Sequence, residues 1–350
     1  MAIRTCWSFD DSQVLADRGL AESNPGYVAI SATAPRNGAQ SLRITGAGTL
    51  CNAIIPVGAA FAMGATLGFS FAYRPAWLIS SPYQTPVTSS TAFVVALFEG
   101  TTAHFVVGLN ASGQVIALRP SGTVYTGANI TPCAQNTYSH WEIKYVCHDT
   151  TGSLIVKINE VEYLNVSGID TRNGLNGTIE TIRIGGQLNT GYSYADDLIL
   201  WDTAGSDVTD WVGDKAVLWR KATGAGNYAE WTPSAGANWQ NIDDLGTRDE
   251  DATYNASSTP GQKDSFVIED IATGSVLAVQ SVMRIRKDDA GPRSVRPLFR
   301  ISSTDYVGAT VTANDGYTTS TEVFHNDPSD SADWAAGDIN GAEHGYEQVA

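Results

Sequence analysis

Residues 141–158 restrict the fold more than any other stretch of the chain. Trp141, Ile143, Tyr145 and Cys147 alternate with Glu142, Lys144, Val146 and His148; after the turn Asp149-Thr-Thr-Gly152, Leu154, Val156 and Ile158 alternate with Ile155 and Lys157. A period of two gives a β-hairpin with one apolar face, and that face needs a second sheet to cover it. Similar patterns recur. Ser41-Leu-Arg-Ile44 alternates, Phe93–Phe98 is apolar throughout, His104–Asn110 and Gln114–Arg119 flank a turn, and strands read again at Val161–Leu164, Thr181–Ile184 and Asp197–Trp201. No apolar stripe of period 3.6 lasts beyond a few turns, so helix is expected to be nearly absent. With 34 glycines and only 17% charged residues, the composition suits short strands and tight turns. The expected fold class is all-β, a sandwich or jelly roll.

A chain of 350 residues is long enough for two cores. Residues 1–205 hold 14 acidic and 10 basic groups (−4), whereas 206–350 hold 23 and 11 (−12), and a run of turn residues follows Trp201. The charge shift places a boundary between Trp201 and Trp211, giving domains 1–205 and 206–350. The net charge of −16 opposes phosphate neutralisation, so nucleic acid is not an expected partner.

No charge occurs between Arg43 and Arg74, but Pro56, Gly58, Gly64 and Gly68 interrupt this run, and Leu67, Phe69, Phe71 and Tyr73 alternate. Two buried strands around a turn are expected there, not membrane insertion. The first eleven residues contain no apolar leader, which points to synthesis in the cytoplasm. Cys6, Cys51, Cys133 and Cys147 lack metal-ligand spacing, so no metal site and no cofactor are expected.

Two sets of motifs resemble known families. Phe9-Asp-Asp11, Trp141-Glu-Ile-Lys144, Gly152–Asn159, Ile182-Arg-Ile-Gly185 and Tyr194–Asp202, in that order, resemble concanavalin A-like, laminin-G-like jelly rolls over residues 1–205. Trp231-Thr-Pro233, Asp249-Glu-Asp251, Ser257–Asp264, Met283–Asp289, Arg293–Leu298, Trp334 and Glu343-His-Gly-Tyr346 resemble the domain that follows such jelly rolls in many phage structural proteins. The resemblance implies a structural protein of a tailed-phage virion, in a tail tip or fibre, with a capsid decoration or head fibre as the alternative. It implies other virion proteins as partners, a homotrimer by analogy to fibres, and Phe9-Asp-Asp11 lying beside Asp196–Ile199. Its pattern ends in a short helix; Gly337 and Gly341 count against that helix here, each costing about 1 kcal/mol relative to Ala.

The residues offer little that reads as catalysis. Glycosidases on this kind of fold carry acidic residues at alternate strand positions, and the nearest approach, Glu160-Val-Glu162, lacks the third member. There is no G-x-S-x-G elbow, and the five histidines stand outside any motif. No catalytic residue is assigned, and the chain is expected not to be an enzyme. Binding is easier to place: Trp77 with Tyr83, and Tyr192 with Tyr194, are loop aromatics that could stack on a host-surface glycan or complete the rim of a core. This makes a lectin-like module the alternative to the virion reading. Asp10, Asp11, Asp196 and Asp197 are weighed as a calcium site against exposed acidic turns. In the second half, Arg284, Arg286, Lys287, Arg293, Arg296 and Arg300 precede a tail, 301–350, with nine acidic residues and no basic ones. These groups pair either within the domain or between subunits, and Arg284, Arg286 and Trp334 are the candidate oligomer contacts.

Overall fold

The computed structural model describes all residues except 1, 11–14, 47–50, 76–92, 110–113, 121, 129–133, 135, 186–190, 206–209 and 245–247. The chain forms two compact units, one made of Met1–Asp10 with Val14–Leu218 and one spanning Trp219–Ala350. The division thus follows Leu218 and not residue 205. Both units are all-β.

In chain order the first unit contains β1 (Ala2–Trp7), β2 (Ala21–Glu22), β3 (Val28–Ser31), β4 (Ser41–Gly46), β5 (Asn52–Phe61), β6 (Thr66–Arg74), β7 (Val95–Glu99) and β8 (Thr102–Leu109). There follow β9 (Val115–Arg119), β10 (Thr123–Thr126), β11 (Ser139–Val146), β12 (Gly152–Ile158), β13 (Val161–Ile169), β14 (Ile179–Gly185) and β15 (Gly191–Asp202). The larger sheet runs β13-β12-β11-β6-β15-β4-β3 with β1 also paired to β15; the other runs β10-β9-β8-β7-β14-β5-β2. Phe69, Phe71, Trp141, Tyr145 and Leu200 from the first sheet meet Ile55, Leu97, Phe105 and Ile182 from the second in one core. This is the jelly-roll-like sandwich that alternation requires, each sheet burying the face the other cannot hydrate.

The hairpin read from residues 141–158 is β11 with β12, in register Trp141↔Ile158 to Val146↔Ser153. The strands read in 51–73 also form, as β5 and β6, but they belong to different sheets, so their turn crosses the sandwich and closes no hairpin. The N-terminal strand lies beside Leu198–Asp202, with Trp7 opposite Leu198.

In the second unit one sheet orders Ala222–Ala229, Lys263–Ile268, Glu343–Gln348, Ser294–Ile301 and Thr304–Val307, with Val311–Thr312 also beside Ser294–Ile301. Val279–Ile285 pairs separately with Thr318–Phe324. The short helix does form, as α1 (Ala336–Gly341), despite its two glycines. The Asp338 carboxylate accepts the Ala335 amide at 2.9 Å, and Ile339 is buried against Phe299, Ile301 and Trp334. A cap and one packed side chain outweigh the propensity of so few residues.

Candidate functional site

Directly opposed residues of antiparallel strands share a face, so the outward face of the larger sheet can be read from its registers. Arg43 on β4, Tyr194 on β15 and Arg74 on β6 form one row. Asp196, Ala72 and His140 form a second, and Ser70, Glu142 and Lys157 form a third, two residues further along the same face.

Two segments of the unit itself cover the middle of this face. The loop 33–40 is held by three buried carboxylates. Asp10 accepts the amides of Ala39 and Gln40 at 2.6 and 2.8 Å, and Asp196 accepts the Arg36 amide at 2.8 Å. Asp197 takes the Asn37 side-chain amide at 2.6 Å and the Arg36 guanidinium at 3.1 Å. Asp197 sits at a bulge in β15 with φ 52°, a left-handed conformation that Asp tolerates. Gly38, at φ 66°, is required because any Cβ there would run into the Asp10 carboxylate. Burial, with Asp197 adjacent, pushes the Asp196 carboxyl up to about 8.

The second cover is the strap 210–218. The Gly213 amide donates to Glu142 at 2.9 Å, the Val217 amide donates to Asp197 at 2.7 Å, and Asp214 pairs with Arg36. Trp211 lies between the Lys144 and Lys157 ammonium groups, 4.1 and 4.2 Å from its ring centre, with Asp210 also on Lys144. Beneath the strap, burial raises the Glu142 carboxyl and depresses His140. Both His140 ring nitrogens are shielded from water with no hydrogen-bond partner among the described residues. The imidazole is therefore neutral at pH 7.

At the end of the face that carries β15's first residues, one aromatic ring reaches solvent. Tyr192 is 46% exposed, with the Arg43 guanidinium 5.1 Å from its ring centre. Tyr194 is buried at 4% exposure under Arg74, 5.2 Å away, whose Nε donates to the Asn136 carbonyl at 2.9 Å.

Of the glycan candidates, Tyr192 therefore reaches solvent, Tyr194 belongs to the rim, and Trp77 and Tyr83 lie outside the described residues. The aspartates weighed for calcium are taken up by backbone amides and Arg36; Asp11 lies outside the described residues, among which no group of three metal-ligating side chains occurs. Glu160 and Glu162 are exposed at the β12–β13 turn and on edge strand β13. Arg284 and Arg286 pair with Glu250 and Asp251 of their own unit and flank the Tyr317 ring, and Trp334 is a core residue whose indole N–H donates to the Phe324 carbonyl at 2.9 Å. Arg284 and Arg286 thus have carboxylate partners within their own unit, with Arg286 still exposed, and Trp334 is buried. No described helix is long and apolar enough to cross a membrane. Sequence reasoning missed Arg36, His140, Glu142 and the strap. The polar side of β11 was legible, but nothing in the pattern shows what covers it.

No family model and no curated protein matches the chain. Among solved structures it is similar to an endo-β-1,4-glucuronan lyase from the fungus Trichoderma reesei, at 11% identity over 57% of this chain and 95% of that one, with a TM-score of 0.41. It is also similar to the alginate lyase Aly36B, at 15% identity over 57% and 97%, TM-score 0.37. A third similar structure is domain 4 of AbnA, an extracellular arabinanase from Geobacillus stearothermophilus, bound to arabinotriose, at 14% identity over 57% and 92%, TM-score 0.37. Two of these three structures are polysaccharide lyases, and the expectation that the chain is not an enzyme is withdrawn. That expectation came from testing the residues against two hydrolase motifs, and a lyase answers to neither.

Proposed function

We propose that the first unit recognises a carbohydrate polymer through the Tyr192 end of the larger sheet's outward face. Tyr192 is the observation that carries this reading. It is an aromatic ring nearly half exposed on a strand, held by a guanidinium on one side, and so preorganised to stack on a sugar ring at little entropic cost. The reading rests on this residue and takes no residue role from the similar structures. Tyr192→Ala is expected to weaken binding to the polysaccharides that the intact protein retains by about tenfold, without altering its melting. Retention unchanged in the variant would remove the reading.

For the setting of this module we propose a tailed-phage appendage, at the tail tip or in a fibre, supported by the order of motifs in both halves of the sequence. Immunogold labelling of virions tests it, and label on the capsid instead of the tail would favour a decoration protein.

A further inference from the structure

Arg43 and Arg74 stand on either side of Tyr194 in one row of the sheet. Among the described residues neither has a carboxylate partner, and the Nε of Arg43 is shielded from water with no hydrogen-bond acceptor. Arg183 is another arginine of the first unit with a shielded Nε and no carboxylate partner among the described residues. Most other arginines of the first unit close on an acid: Arg4 on Asp202, Arg36 on Asp197 and Asp214, Arg119 on Asp170, Arg172 on Asp149. The sequence adjoining these strand ends supplies no counter-charge either, since 47–50, 76–92 and 186–190 contain no Asp or Glu. The nearest carboxyl along the same face of β15 is Asp196, already engaged by the Arg36 amide and shifted by burial toward its neutral form.

A partly buried guanidinium with an orphaned donor is costly unless something accepts from it. Arg43 is such a group, and with Arg74, which likewise lacks a carboxylate partner among the described residues, it stands beside an exposed tyrosine and matches a sugar that brings its own carboxylate: the ring stacks on Tyr192 while the acid takes a charge-assisted, forked hydrogen bond. We infer that Arg43 and Arg74 select an acidic polysaccharide, one built of uronic acids, at the Tyr192 end of the sheet. The inference rests on the carbohydrate reading above and adds the charge of the ligand.

The test is binding of the full-length protein to immobilised polyuronates, to the same polymers after chemical reduction of their carboxyl groups, and to sulfated and neutral polysaccharides. Polyuronates are expected to be retained at least tenfold more tightly than their reduced forms, with affinity falling as salt rises. Arg43→Gln and Arg74→Gln should each remove most of that difference while leaving the melting temperature within a few degrees. Equal binding of the reduced polymers, or preference for a neutral one, overturns the acidic selection and leaves the carbohydrate reading standing. Preference for sulfated over carboxylated polymers overturns the uronate assignment. Binding to none of them overturns both readings.

Discussion

His344 shows how one buried group sets a pH dependence. Its ring meets Phe299 edge-on with centres 4.6 Å apart, its Nε2 is shielded from water without a partner among the described residues, and burial holds its pKa down to about 4. In the unfolded chain it titrates near 6.5. A depressed histidine contributes stability that is fully present above the unfolded value and is lost as pH falls toward the folded one. The second unit should thus lose up to about 3 kcal/mol between pH 6.5 and 4 from this group alone. Calorimetry of the intact protein across that window, beside His344→Gln, checks this; the variant should give a flatter profile, and parallel profiles would assign the acid sensitivity elsewhere. Nothing in Glu343-His-Gly-Tyr346 announces such burial. The same holds for Trp334 and Tyr194, which a sequence presents as aromatics free to bind and the structure spends on packing. Tyr192 and Tyr194 lie on one face of one strand, yet the first is exposed and the second is buried with Arg74 over its ring.

At the scale of elements, alternation was a sufficient guide to the strands and a poor one to their boundaries and covers. The β11–β12 hairpin is legible because both strands bury one face and wet the other. The strap 210–218 is not, because it has no regular structure and its docking relies on backbone amides that a pattern of side chains cannot display. The charge shift that suggested residue 205 is real, yet it marks composition; packing carries the chain to Leu218. A fragment ending at residue 218 should therefore melt at least about 5 °C above one ending at 205, since losing the strap uncovers Glu142, His140 and the apolar contacts of Val212. Thermal melts of the two fragments decide it, and equal midpoints would mean the strap adds nothing.

For the whole molecule, the uneven acidity is absorbed locally. The basic groups of residues 284–300 find Glu250, Asp251, Asp289, Asp305, Asp315 and Glu347 within their own unit, so only three of those partners come from the acidic tail. Charge reversal at Arg284 and Arg286 is expected to lower the melting temperature by a few degrees and leave the mass in solution unchanged. Multi-angle light scattering gives the mass, and a drop in the variant would restore an intersubunit role.

The pairing of β1 with β15 joins Ala2 to Asp202 and is reinforced by Arg4 on Asp202. Its effect is felt during synthesis. At the usual pace of about 5–20 residues per second, the first strand leaves the ribosome roughly 10–40 s before its partner exists. Until then it has an unmet row of amides and carbonyls, and the central strand it will flank has not been made. The first unit therefore cannot fold vectorially from its N-terminus; it must wait open and close late, when the interval in which a nascent chain can pair with a neighbour is longest.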